Sequence, residues 1–273
     1  MVNSKGQLII GDKNKIRMYD PQSGLITAIA GNGLAGNSVD GIKAKQTSFS
    51  AVGSIALSKS DEIYLVEVGA CKIKKLKRNG RLETIAGTGS SGYSGDGGLA
   101  INAKIYPGSG DLVVTNEGHV IFADAGNHRI RKIFANGTIV TIAGTGTIGY
   151  SGDYGLATNA QFDSPVGVAV SPSTGDIIVL DTLNHRIRQI FTNGTIVTIA
   201  GDGIGGYSGN SGWAYLARVK GPSNGKFKSN GDFVFADTNN QRIRAISANG
   251  TMSLLAGTDW LLRRWRMCFI GNI

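Results

Sequence analysis

The feature that most constrains this chain is an internal repeat of about 57 residues. The tripeptide Ile-Ala-Gly or Leu-Ala-Gly ends at Gly31, Gly87, Gly144, Gly201 and Gly257, at spacings of 56, 57, 57 and 56. A turn glycine stands seven residues earlier each time, at Gly24, Gly80, Gly137, Gly194 and Gly250. An isoleucine recurs at Ile16, Ile73, Ile130, Ile187 and Ile243. Segments 124–153 and 181–210 agree at roughly three quarters of their positions. Such regularity marks one supersecondary unit copied along the chain.

Within the best copy the sequence predicts four strands. Strand A spans Gly167–Ser171, B Asp176–Leu180, C His185–Phe191 and D Thr195–Ala200. The B and D runs are rich in Val, Ile and Thr, as strands are. Asn193-Gly194 between C and D predicts a tight type I′ hairpin. A lone antiparallel A-B-C-D meander cannot bury both its faces, but radial stacking against copies of itself can. The expected fold is therefore all-β, a β-propeller of four-stranded blades. Strands B, C and D of a first blade fall in residues 7–30, and four full blades follow. That leaves an incomplete ring of about five out of six blades, expected to fold poorly alone because two blade faces stay uncovered.

Residues 1–258 hold the repeats, and residues 259–273 resemble none of them. Asp259–Cys268 can be back-translated as GAT TGG TTA CTC AGG AGA TGG AGG ATG TGC. Followed by a T and read one base later, this gives Ile-Gly-Tyr-Ser-Gly-Asp-Gly-Gly-Cys-Ala, the loop each other repeat carries there. The tail thus reads as a frameshifted copy, and Cys268, Arg263, Arg264 and Arg266 carry no functional weight. Without it the balance is 25 basic to 18 acidic residues, +7 rather than +9.

With 41 Gly and 17% charged residues, the composition suits short strands and tight turns rather than helical bundles. No apolar run approaches the roughly 18 residues of a membrane-spanning helix, so no membrane insertion is expected. The N-terminus runs into the strand-like Gln7–Ile10 without an apolar leader, so no signal peptide is read there. The compartment stays open between extracellular and cytoplasmic. Two cysteines, Cys71 and Cys268, are too few for a disulfide framework or a zinc site.

The recurring motifs are Asp-x-x-Asn-His-Arg-Ile-Arg at Asp124–Arg131 and Asp181–Arg188, its variant at Asp237–Arg244, Gly-Tyr-Ser-Gly-Asp-Gly-Gly at Gly92–Gly98, Ser164–Val170, and Ile-Ala-Gly. In these the chain resembles the NHL-repeat family, in the long-loop form of the teneurin-type propeller. The resemblance covers residues 7–257. The first two repeats depart from it: Ile10 and Glu67 stand at the Asp124 position, and Cys71–Lys74 replaces His-Arg-Ile-Arg. It implies a propeller of about six blades, but no single function, because members serve as adhesion modules, RNA binders, sensors and, rarely, lyases.

Several motifs invite chemistry and fail it. Gly-x-Gly-x-x-Gly occurs at Gly31, Gly87, Gly144 and Gly201, but without the βαβ unit and helix that hold a dinucleotide, so no cofactor is expected. Gly-Tyr-Ser-Gly-Asp lacks the second glycine of a nucleophile elbow, so no catalytic residue is named. Asp96 and Asp153 bring one carboxylate per loop, poor for calcium. His128 and His185 share a repeat position that Cys71 and Gln241 occupy elsewhere, so a metal-binding ring is broken and a turn role is favoured. Arg131, Arg188 and Arg244 on strand C need carboxylates, and Asp124, Asp181 and Asp237 recur in step, so these are read as structural ion pairs between blades.

In an A-B-C-D meander the long D–A loops and the B–C turns share one face, and the A–B and C–D turns the other. The first face carries Tyr93, Asp96, Asn127, His128, Tyr150, Asp153, Asn184, His185 and Tyr207, the candidate binding residues. The tyrosines read equally well as packing on their own blades. The expectation is a non-enzymatic recognition module for a protein or glycan. RNA binding through Lys72, Lys74, Lys75, Lys77, Arg78 and Arg81 ranks second, since no aromatic interleaves that cluster. A metal-dependent lyase of the same fold ranks third. Asn136, Asn193 and Asn249 open N-x-T sequons, candidate glycosylation sites on C–D turns and so expected on the face opposite the long loops.

Overall fold

The computed structural model describes residues 1–257, and the tail lies outside the described residues. The chain is all-β, built as the five blades of a β-propeller. The first blade has three strands, β1 (Leu8–Asp12), β2 (Lys15–Asp20) and β3 (Leu25–Ala30). The second has β4 (Val52–Leu57), β5 (Ile63–Glu67), β6 (Lys72–Leu76) and β7 (Leu82–Ala86). The third has β8 (Leu112–Val114), β9 (Val120–Asp124), β10 (Arg129–Ile133) and β11 (Ile139–Ala143). The fourth has β12 (Pro165–Val170), β13 (Ile177–Asp181), β14 (Arg186–Ile190) and β15 (Ile196–Ala200). The fifth has β16 (Pro222–Phe227), β17 (Phe233–Asp237), β18 (Arg242–Ile246) and β19 (Met252–Ala256). Each blade is an antiparallel meander in chain order.

Two compact units divide the described residues, 1–127 with 131–140, and 128–130 with 141–257. In the first, β1 packs on β4 and β4 on β8; in the second, β12 packs on β16. The repeating Ile is the buried centre of strand C, with Ile16, Ile73, Ile130 and Ile187 fully enclosed. Around Ile73 the core gathers Val66, Ala86, Ala100, Ile105 and Phe122. Around Ile187 it gathers Leu180, Ala200, Ala214, Val219 and Phe235. Burial of such side chains, about 1.5–3 kcal/mol each, holds neighbouring blades face to face.

The C–D hairpin differs from the expected type I′ turn. Only its glycine has positive φ, as at Gly137 and Gly194 (both 87°). Phe134 N–H bonds Thr138 O and Gly137 N–H bonds Phe134 O, both at 2.8 Å. This is a three-residue loop ending in a left-handed glycine, which needs positive φ once rather than twice. Asn136 and Asn193 instead accept the N–H of Thr138 and Thr195 on their side-chain oxygens, at 3.0 and 2.9 Å.

The long loops also depart from expectation. Each contains a short 3-10 turn that begins at Ala44, Ala100, Ala157 or Ala214. That alanine's carbonyl accepts the N–H of the glycine ending the preceding strand D: Gly31, Gly87, Gly144 or Gly201, at 2.7–3.0 Å. Its own N–H bonds the turn glycine of the next blade: Gly80, Gly137, Gly194 or Gly250, at 2.8 Å each. The loops therefore reach the C–D turns, and the two are not on opposite faces. Twist is the physical reason. At about 20–25° per neighbouring strand, three steps rotate strand D by roughly 60–75° from strand A, so the outer strands run along the rim. The sequons at Asn136, Asn193 and Asn249 sit beside the long loops.

The Ile-Ala-Gly glycine is required by this joint. Gly144 has φ 96°, and a Cβ there would overlap the His128 carbonyl, whereas Gly24 at φ 70° has open space around it. Gly144→Ala should cost about 2 kcal/mol more stability than Gly24→Ala in urea denaturation, because it adds a collision to the strain both share. Equal losses would contradict the joint.

Candidate functional site

The residues that the repeats share converge on one guanidinium in each of the last three blades. In the third blade Arg131 is fully buried. Its Nη2 meets Asp96 Oδ1 at 2.6 Å and donates to Ser94 O at 2.8 Å, while Nη1 donates to Lys104 O at 3.0 Å. Asp124, equally buried, lies 3.5 Å from Nη1. Arg188 repeats this with Asp153 at 2.6 Å, Ser151 O at 2.7 Å, Gln161 O at 2.9 Å and Asp181 at 3.8 Å. Arg244 does so with Ser208 O and Arg218 O at 2.7 Å, and Asp237 at 3.3 Å. Asn210 stands where the other loops have Asp and accepts from Arg244 at 3.0 Å. The arginine thus ties both arms of the preceding long loop to its own strand C. The partners on the B strand, Asp124, Asp181 and Asp237, lie in the same blade as their arginines, not across a blade boundary. They come from adjacent strands of one hairpin, which fixes them side by side, while the link between repeats runs through Asp96 and Asp153.

The other candidate residues complete the same joint. Tyr93 Oη bonds Asp96 at 2.9 Å and Tyr150 Oη bonds Asp153 at 2.8 Å. Tyr93 lies over Arg131 with its centroid 5.0 Å from the guanidinium, Tyr150 lies 3.6 Å from Arg186, and Tyr207 lies 4.5 Å from Arg242. Each ring keeps about 40% exposure, 38–41%, so one side of it still faces solvent. Asn127 and Asn184 donate to the loop carbonyls Gly92 O and Gly149 O at 2.7 Å, and to Asp124 and Asp181 at 2.9 Å. His128 and His185 adopt left-handed φ of 54°. Their Nδ1 atoms accept the N–H of Ser164 and Gly221, at 3.0 and 3.3 Å. Cys71 and Gln241 take the same backbone conformation at φ 47° and 55°. Among the described residues no three His, Cys, Asp or Glu side chains converge as metal ligands would.

The second blade builds the joint from different residues. Lys74, buried at the arginine position, pairs with Asp40 at 2.7 Å. Glu67 replaces the Asp124-type acid, and its longer side chain accepts from Ser38 N and Oγ at 2.9 and 2.5 Å, the loop contact that Asn127 provides elsewhere. Sequence reasoning missed Asp40 and Ser38; the signal was Lys74 at the arginine position.

Three cations of the basic run on and after β6 are ion-paired, and two more bond backbone carbonyls. Besides Lys74–Asp40, Lys75 pairs with Glu62 at 2.7 Å and Lys77 with Glu83 at 2.8 Å. Arg78 donates to Ser60 O, and Arg81 to Gly41 O.

Charge within the joint is uneven. Arg188 faces two carboxylates, Asp153 and Asp181. Burial pushes Asp181 up to about 7, and hydrogen bonds from Asn184 and the Asp163 amide offset this only in part. Burial also raises Asp153, but hydrogen bonds from Thr198, Tyr150 and Arg188 bring it below its ordinary value. Asp124 is raised by burial in the same way as Asp181. Of the two acids, the inner one therefore takes up a proton more readily.

A model of the NHL repeat matches residues 162–190. The NHL repeat-containing protein 2 of Gallus gallus is 38% identical over 104 residues, covering 37% of this chain and 14% of that protein. The chain thus carries an NHL repeat and is similar to NHL-repeat proteins. Human (Homo sapiens) teneurin-1 is 26% identical over an alignment covering 89% of this NHL-repeat chain and 12% of that protein. The streptogramin B lyase structure superimposes with a TM-score of 0.57 at 17% identity, covering 94% of this chain and 67% of that one. At that identity the likeness is one of fold. The NHL-repeat chain spans less than a fifth of the length of the curated relatives it matches.

A raised folded-state value for Asp181 means that the folded protein binds more protons than the unfolded chain between pH 4 and 7. Stability is then fully present below about pH 4 and is lost as pH rises toward 7. Asp181→Asn should flatten the fall in Tm across this window, leaving the part owed to Asp124. An unchanged slope in the variant would contradict the assignment.

Proposed function

We propose that the chain is a non-enzymatic recognition module that binds a protein or glycan along the rim formed by its long loops. One observation carries this reading: the polar side chains of the loops are engaged with one another, while their apolar tips stand in solvent. Trp213, Tyr215 and Leu216 are 55%, 51% and 63% exposed, with the two rings stacked at a centroid distance of 6.4 Å. Tyr154 and Leu156 are exposed in the same way on the preceding loop. Rigid, half-polar aromatics of this kind supply interface area at little entropic cost. The internal pairing of Asp96, Asp153, His128 and His185 counts against a general acid, base or metal ligand among them. The pairing of Lys74, Lys75 and Lys77 weakens the case for a phosphate-binding patch.

A glycan array and a panel of displayed extracellular protein domains, probed with the NHL-repeat chain, test this. Trp213→Ala with Tyr215→Ala should abolish binding to any hit and leave Tm within about 1 °C, since exposed side chains contribute little to stability. Binding of a labelled single-stranded RNA that falls steeply with salt and is lost with Lys72→Ala and Lys77→Ala would overturn the reading in favour of the nucleic-acid alternative.

A further inference from the structure

The first blade carries a joint without its loop. In the other four blades a preceding long loop lies along strand D. Gly41 N–H bonds Leu82 O, Gly97 N–H bonds Ile139 O, Tyr154 N–H bonds Ile196 O and Ser211 N–H bonds Met252 O, at 2.7–3.1 Å. Those four apolar side chains are 2%, 0%, 0% and 0% exposed. The equivalent residue in β3 is Ile26, and it is 48% exposed. Among the described residues no loop backbone bonds Gly24 O or Ile26 O.

The guanidinium is also in place. Arg17 pairs across the sheet with Ala28, as Lys74 does with Thr84 and Arg188 with Thr198. Arg17 therefore holds the position of the joint cation. The side chains of Arg131, Arg188 and Arg244 are 0% exposed; that of Arg17 is 42% exposed, with Asp12 at 3.6 Å, itself 52% exposed. In two of the docked blades the loop acid also accepts a strand-D amide: Thr84 N–H donates to Asp40 and Thr198 N–H to Asp153, both at 3.0 Å. Ala28 N–H is the matching donor in β3.

From this we infer that the outer edge of the first blade is a docking site for one more long loop of the Gly-Tyr-Ser-Gly-Asp-Gly-Gly-x-Ala kind, supplied by a repeat outside residues 1–257. Its acid would take Arg17 and the Ala28 amide, its glycine-rich backbone would bond Ile26 O and Gly24 O, and its apolar residue would cover Ile26. Charge complementarity and four copies of the same interface within the chain define this occupant. The chain's own four loops are already docked, so none of them is available to fill the edge.

The probe is a synthetic peptide with the sequence of residues 88–105, fluorescently labelled and titrated with the full chain. Saturable one-to-one binding is expected. Replacing the peptide's aspartate with alanine should weaken it about tenfold or more, as loss of a charge-assisted hydrogen bond does. Arg17→Ala and Ile26→Asp in the protein should weaken it equally, and the peptide substitution tests the site even if either protein variant misfolds. Absence of saturable binding overturns the inference. So does binding indifferent to the peptide's aspartate and to Arg17, which would mean exchange at an already docked loop. A dimer of the chain alone that Arg17→Ala dissociates would name a second copy as the occupant and overturn it as well.

Discussion

Arg131, Arg188 and Arg244 are fully buried, and a guanidinium cannot shed its charge to suit an apolar setting. The surroundings must answer it with acceptors, and here they come mostly from the long loop that precedes the blade. A loop of some 20 residues with few apolar anchors would not fix itself. The two loop carbonyls and the loop Asp or Asn on each guanidinium give it one position, and everything downstream follows. The 3-10 turn then meets the next hairpin, and the alanine that begins it enters the core. Buried ion pairs add less net stability than their geometry suggests, because desolvation offsets the attraction. What they supply here is a unique register between one repeat and the next.

The repeats show how far the joint can change chemistry and keep its form. Lys74 with Asp40 and Glu67 replaces an arginine with two aspartates, and the longer acid makes up for the missing asparagine. In the fifth blade Asn210 removes one carboxylate, and Asp237 approaches Arg244 to 3.3 Å, where Asp181 stays 3.8 Å from Arg188. An acid held above its ordinary range in one repeat and an uncharged amide in another solve the same excess of negative charge.

The repeat period, the strands and their order were legible in the sequence because they rest on local signals: alternating β-branched residues, Asn-Gly turns and the glycine at a positive-φ joint. For the fourth blade the expected strands lie within two residues of those observed at either end. What was not legible was the consequence of twist. Parity assigned Asn193 and the 145–164 loop to opposite faces, yet Ala157 bonds Gly194 directly. Residue counting locates strand ends along a chain, but not the rotation that brings an outer strand round to the rim. The pairing of Arg131 with Asp96 was hidden for a related reason. The spacing of Asp124 and Arg131 is fixed by one hairpin and stands out, whereas Asp96 reaches the same guanidinium from a loop 35 residues away.

The central claim is that one buried arginine holds one preceding loop. Native-state hydrogen exchange on Arg188→Met, a change that keeps much of the side-chain volume and removes the charge, tests it most directly. The account predicts faster exchange at Tyr154, Ala157 and Ile196, whose N–H groups bond across the joint, with the amides of Gly97, Ala100 and Ile139 at the Arg131 joint unchanged. Unchanged protection at the Arg188 joint, or an equal loss at both joints, would contradict it.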